Sequence, residues 1–293
     1  MADGPAVVAL GGGHGLATAL RAVRRYAGSI TAVVSIADDG GSSGRLRRDL
    51  GVAPPGDIRR CLVALAGEST VWSAAFEHRF RDGELEGHAL GNLVLVGLTE
   101  TLGSFPDALD EAGRLLRAVG RVLPATVEPV VLKAELADSE VEGQVAVANS
   151  HGIRRVELVP ADVVATPDAV AAIAAADQVV YAPGSLYTSV LPVLGVDGLR
   201  RALASTAAEV IQVANLRPQI PETAGMDAAD HLAAVLAHRA RVDCFLFDLG
   251  GGLHVDADRV RALGVEPVGA VVARADGLAH DPGQLAKALC ALL

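Results

Sequence analysis

Short apolar runs that stop at glycine-rich or polar turns recur along this chain, and helical patterns follow them. Ala6–Leu10 runs into Gly11-Gly12-Gly13-His14-Gly15 and then an amphipathic stretch, Leu16–Tyr26. Ile30–Ile36 stops at Asp38-Asp39-Gly40-Gly41. Gln178–Ala182 stops at Pro183-Gly184-Ser185, Glu209–Ala214 at Asn215, and Cys244–Phe247 at Asp248 and Gly250-Gly251-Gly252. Strands alternating with helices predict an α/β fold, a mainly parallel sheet with helices on both faces. Ligands of such sheets bind beyond the carboxyl ends of the strands. Every turn just named lies at such an end, so the turns are expected to converge on one cleft.

Two regions break the rhythm. Ile58–Val119 reads as several helices. From about Val122 to Pro160 the texture changes: Val127–Leu136 and Glu140–Val147 alternate or run β-branched, with turn residues at Ala137–Ser139. That segment predicts a hairpin-like insertion or small subdomain at about 122–160. No low-complexity linker or internal repeat divides the chain, so residues 1–293 read as a single domain carrying the insertion.

The turns supply the candidate chemistry. Gly11, Gly12, Gly13 and Gly15 let backbone approach a ligand, and the helix start behind them offers free N–H groups and a partial positive charge, a setting for phosphate. The turn departs from G-x-G-x-x-G, with Leu16 where the third glycine would fall. His14 is either a ligand contact or an exposed turn residue. Asp38 and Asp39 sit where a dinucleotide fold keeps its ribose-reading acid, or where a magnesium-bound phosphate would be oriented; the alternative is that they cap the loop and the helix near Ser43. Gly40, Gly41, Ser42 and Ser43 continue the turn. Arg45 and Arg48 share a face if Gly44–Leu50 is helical, and form either an anion contact or a solvated face. Asp57 has the position of an N-cap, and near Asp39 it would complete a metal or proton-transfer site. His88 and Asn92, at the start of an apolar helix, are within reach of the cleft or structural. Ser185, Tyr187 and Thr188 after Gly184 offer hydroxyls and a flat face for a second phosphate or a sugar; the alternative is capping by Ser185.

Charge narrows the partners. The net charge of −10 over 293 residues argues against a general nucleic-acid or anionic-membrane binder. Yet Arg45, Arg47, Arg48, Arg59 and Arg60 cluster beside the glycine turns, which suits a local anionic ligand. Cys61, Cys244 and Cys290 are dispersed and odd in number, as for reduced thiols in a cytosolic protein. No leader-like or membrane-length apolar segment is evident, so a soluble, cytoplasmic protein is expected. No H-E-x-x-H or Walker lysine occurs, and His231 and His238 lack i, i+4 spacing.

In combination these strings resemble the YvcK family of gluconeogenesis factors. The resemblance rests on Ala9–Leu16, Ala37–Arg47, Pro54–Arg59, Gly87-His88 with Gly91-Asn92-Leu93, Arg121–Pro124, Pro183–Ser189 and Asp227–His238. It implies a Rossmann-like three-layer α/β/α protein of the cytoplasm that binds UDP-N-acetylglucosamine and supports gluconeogenic growth, cell-wall synthesis and cell shape, with a cell-wall or kinase-linked partner. The family usually carries Thr where this chain has His14. The wider superfamily includes the magnesium-dependent 2-phospho-L-lactate transferases of coenzyme F420 synthesis, whose positions Asp39 and Asp57 look shared. Those transferases read Pro-Ser-Asn where this chain has Pro183-Gly184-Ser185.

Two readings follow. In the first, a nucleotide-sugar-binding regulator, the N–H groups of Gly12–Gly15 hold the diphosphate, Asp38 or Asp39 with Gly40–Gly44 holds ribose or magnesium, and Ser185, Tyr187 and Thr188 close over sugar or base; Asn215 at the next strand end completes the set. In the second, a transferase, Asp39 and Asp57 are catalytic and bind magnesium. A redox enzyme using NAD is disfavoured by the missing third glycine. The apolar composition is compatible with a homodimer.

Overall fold

The computed structural model describes residues 4–67 and 70–293. In chain order its strands are β1 (Ala6–Gly11), β2 (Ser29–Val34), β3 (Arg121–Pro124), β4 (Val131–Glu135), β5 (Glu140–Glu142), β6 (Arg155–Val159), β7 (Gln178–Tyr181), β8 (Glu209–Val213), β9 (Cys244–Asp248) and β10 (Glu266–Ala270). The helices are α1 (Gly13–Val23), α2 (Gly41–Leu50), α3 (Gly56–Leu65), α4 (Val71–Glu77), α5 (Leu90–Leu102), α6 (Phe105–Leu116), α7 (Gln144–Ala148), α8 (Pro167–Ala174), α9 (Leu191–Leu194), α10 (Asp197–Ser205), α11 (Ala228–Ala237), α12 (Ala257–Ala262) and α13 (Pro282–Cys290).

Among the described residues, seven strands form one parallel sheet in the order β10-β9-β8-β7-β1-β2-β3. The apolar runs read from the sequence are its centre: Val7–Leu10 and Val179–Tyr181 are almost completely covered. Fully burying each such Val or Leu contributes about 1.5–3 kcal/mol. α1, α3 and α13 cover one face, while α8, α9 and α10 pack together on the other. The chain winds outward from β1 to β3, then returns beside β1 as β7 and winds the other way. Loops leaving the carboxyl ends of β1 and β7 therefore diverge, which opens a crevice at that reversal. The helices expected in 58–119 are α3 to α6. Ser104 starts α6 by accepting the Asp107 N–H, and Asp227 and Asp230 form a reciprocal cap on α11.

The insertion differs from its sequence reading. Residues 121–124 belong to the main sheet as its edge strand. The second sheet is three-stranded and antiparallel, β5-β4-β6, so the hairpin gains Arg155–Val159 as a third strand. The run Glu140–Val147 is not one strand. Gly143 takes φ +98°, and the chain turns into α7. Asp39 fixes that turn by accepting the N–H groups of Gln144 and Val145, both at 2.9 Å. No helix among the described residues is long and apolar enough to cross a membrane.

Candidate functional site

The crevice at the β1/β7 reversal is a polar cleft of about 380 Å³. Gly15 sets its floor. A Cβ there would lie 1.7 Å from the Pro183 carbonyl oxygen, so the turn after β1 and the loop after β7 touch backbone to backbone. Gly12, Gly13, His14, Gly15 and Gly184 line this floor. Gly13 takes φ +62°, and Gly11 ends β1 at φ +147° behind the lining. Asn215 stays outside the cleft. Its amide accepts the Gly184 N–H and donates to the Gly184 carbonyl, both at 2.7 Å, so it is a brace for the β7 loop rather than a lining residue.

The turn after β1 does not offer its N–H groups freely. Asp57 Oδ2 accepts the Gly13 N–H at 2.7 Å, and Arg60 pairs with Asp57 Oδ1 at 2.6 Å. The N-cap reading of Asp57 is corrected accordingly. α3 starts two residues earlier than that reading requires, at Gly56, and its flanking Pro55 has no capping side chain. Asp57 instead reaches from the first turn of α3 across to α1, where a carboxylate suits the positive helix end. Burial and the neighbouring Arg60 hold the His14 imidazole below its ordinary pKa.

The two adjacent aspartates point in opposite directions. Asp38 lines the cleft and accepts the Gly40 N–H at 3.0 Å. Burial, then the Asp57 charge, raises its carboxyl; hydrogen bonds from Gly40 and Ser43 pull it back. Asp39 leaves the cleft and holds α7, so the pairing of Asp39 with Asp57 that a magnesium site would use does not form. Among the described residues no group of three or more His, Cys, Asp or Glu is placed to hold a metal.

Gly40, Gly41, Ser42 and Ser43 form the wall at the start of α2. Ser43 Oγ accepts the Gly56 N–H at 3.0 Å and so ties α2 to α3. Ser42 Oγ receives Asn92 Nδ2 at 3.0 Å and stands 3.1 Å from His88 Nδ1. His88 itself lies behind that wall. The α2 arginines do not converge on the cleft: Arg45 donates to the Glu86 carbonyl at 2.7 Å, Arg47 to Val130, and Arg48 is exposed beside Asp49.

The dominant cation is Arg59, only 5% exposed. Its Nε donates to Asn92 Oδ1 at 3.1 Å and its Nη1 to the Phe76 carbonyl at 3.2 Å. It forms no ion pair among the described residues, and burial, then Arg60, depresses its pKa to about 10. Arg60 and Arg79 join it in the lining.

On the far side, a single π-helical turn, Leu186–Val190, follows β7. Ser185 and Thr188 line the cleft. Tyr187 does not: its ring is buried and its hydroxyl donates to the Ile153 carbonyl at 3.1 Å, because the apolar packing under the small sheet claims it. Beneath the turn lies Glu222, which accepts the Ser185 hydroxyl at 2.6 Å and the Tyr187 N–H at 2.7 Å. Burial raises its carboxyl.

Sequence reasoning flagged Arg59 and Arg60 only as cluster members, read Ser189 only as part of the Pro183–Ser189 run, and missed Ser35, Arg79, Gln144 and Gln219 in the lining and Glu222 beneath it. Arg79 arrives on a strand-like bridge to Ala89, Gln144 on α7, and Gln219 and Glu222 on the loop after β8. None carries a local motif.

Residues 7–270 match the family model described as 2-phospho-L-lactate transferase CofD. The chain belongs to the CofD family. That match takes in every residue lining the cleft. A relative from Mycobacterium tuberculosis H37Rv, named "Putative gluconeogenesis factor", is 44% identical over 318 residues, covering 99% of this chain and 90% of that protein. The gluconeogenesis factor of Bacillus subtilis 168 is 36% identical over 315 residues, covering 100% and 99%. A crystal structure of a UPF0052-family protein, BH3568 of Bacillus halodurans, superposes with a TM-score of 0.93 at 37% identity, covering 97% of this chain and 98% of that one.

Proposed function

We propose that this CofD-family chain is a cytoplasmic nucleotide-sugar-binding regulator, with UDP-N-acetylglucosamine as ligand and a role in gluconeogenic growth, cell-wall synthesis and cell shape. The gluconeogenesis link is supported by the names of the relatives at 36–44% identity. The observation that carries anion binding is Arg59. A buried guanidinium without a carboxylate partner is costly, and an arriving phosphate supplies the missing charge in bidentate geometry. This moves the diphosphate from the first glycine turn, where Asp57 already takes the Gly13 N–H, to the start of α2 between Arg59, Asn92 and Ser42. Arg60 and Arg79 screen the second phosphate, and Ser185, Thr188 and Gln219 face the sugar or base.

The deciding experiment is calorimetric titration with UDP-N-acetylglucosamine against UDP-glucose, GDP and NAD, with and without magnesium. Selective micromolar binding of the UDP-sugar without turnover supports this reading; no binding of any of them refutes it. The family match favours a second reading, a transferase acting on a nucleotide-activated donor. Magnesium-dependent release of a nucleoside monophosphate would establish that reading instead.

A further inference from the structure

Ser42 is set apart from the other hydroxyls of the cleft by what touches it. Ser43 Oγ is committed to the Gly56 N–H, and Ser185 to Glu222. Ser42 Oγ has an imidazole on one side, His88 Nδ1 at 3.1 Å, and the Asn92 amide on the other. The amide's direction is fixed, because Arg59 Nε donates to Asn92 Oδ1 and leaves Nδ2 to face Ser42. With its Nε2 protonated, neutral His88 presents the Nδ1 lone pair to the Ser42 O–H. The pair also lies at the start of α2, beside the buried charge of Arg59, where negative charge on oxygen is stabilised.

We propose that Ser42 is an activated nucleophile, with His88 as its general base, that accepts a phosphoryl group from a phosphoanhydride held against Arg59 and Asn92. Ser42 Oγ forms a bond to phosphorus and the anhydride P–O bond breaks. The leaving phosphate takes the bonding pair, and the serine proton passes to His88 Nδ1. Half-buried His88 releases it to solvent through Nε2. Arg45 and Asp49 of α2 and Arg79 of the facing bridge are the charged groups around the imidazole, and burial with Arg45 holds its pKa below the ordinary imidazole value. The location of the anhydride rests on the anion reading of Arg59 given above; the activation of Ser42 does not.

A fluorophosphonate tests the activation without any nucleotide, since its P–F bond breaks as Ser–O–P forms. The full chain is labelled, digested and mapped by mass spectrometry. The expected result is an adduct on Ser42, absent in Ser42→Ala, slowed about a hundredfold in His88→Gln, faster as pH rises through the His88 titration, and slowed by inorganic phosphate. No adduct on folded wild-type chain, an adduct on Ser185 instead, or His88→Gln labelling at the parental rate would overturn the proposal. Because the wild-type result alone can refute it, misfolding of a variant does not protect it. Binding of UDP-N-acetylglucosamine is measured separately, so failure of the nucleotide-sugar reading and failure of Ser42 activation remain distinct.

Discussion

Replacing Arg59 by methionine separates a residue kept for the fold from one kept for a ligand. The side chain is 5% exposed and its pKa is depressed to about 10. The folded state disfavours the charged form, so throughout the range below that pKa the protein carries a penalty on the order of 3 kcal/mol. Arg59→Met removes this penalty and keeps most of the volume. Against the gain, Asn92 Oδ1 and the Phe76 carbonyl lose donors at 3.1 and 3.2 Å. A buried acceptor left without a partner costs about 1–3 kcal/mol. Two such acceptors cost about 2–6 kcal/mol against a gain of about 3, so unfolding in urea should shift by between about 1 kcal/mol of gain and about 3 kcal/mol of loss. A buried ion pair broken at one end would cost about 3–5 kcal/mol. Losing a desolvated contact to phosphate costs about 2–5 kcal/mol of binding, at least thirtyfold in affinity. Urea denaturation and calorimetric titration with UDP-N-acetylglucosamine measure the two quantities on one preparation. A loss of stability above about 4 kcal/mol with unchanged affinity would show that Arg59 serves packing alone.

Three further outcomes are expected. Asp39→Asn should loosen α7 at a cost of about 1–2 kcal/mol, seen as faster amide exchange at Gln144 and Val145, with ligand affinity within about twofold of the parent; a large affinity loss with unchanged exchange would return Asp39 to the cleft. Gly15→Ala drives a methyl into the Pro183 carbonyl and should destabilise the fold by about 3 kcal/mol or more, read as a lower midpoint in urea; parental stability would refute the backbone contact. Glu222 has a folded pKa raised above its unfolded value, so the native state holds its proton more tightly and stability falls as pH rises between those two values. Stability should therefore drop across that window in the parent and less so in Glu222→Gln; identical pH profiles would contradict the burial of the carboxylate.

The main sheet was legible because strands buried on both faces appear as unbroken apolar runs, and β1, β2, β7, β8 and β9 all end at glycine or polar turns. The cleft was legible for the same reason, since a parallel sheet brings such turns to one end. Direction was not. Asp38 and Asp39 are neighbours in the loop after β2, and only the presence of α7 decides which of them faces the cleft. Tyr187 looked like a ligand contact because its hydroxyl neighbours are polar, but burial beneath the small sheet consumed its ring. Arg79, Gln144 and Gln219 reach the cleft from segments far away in sequence, and no spacing within the chain records such meetings. The Glu140–Val147 run misled because its alternation suits a strand, whereas a glycine at positive φ and a distant capping aspartate made part of it helical.

The opposed aspartates make residues 38–40 a splice between two parts of the fold. One carboxylate faces the cleft, the next grips the first turn of α7, and the two stand on adjacent residues. Gln144, whose N–H Asp39 accepts, itself lines the cleft, so the cleft wall and the helix of the small sheet share one anchor.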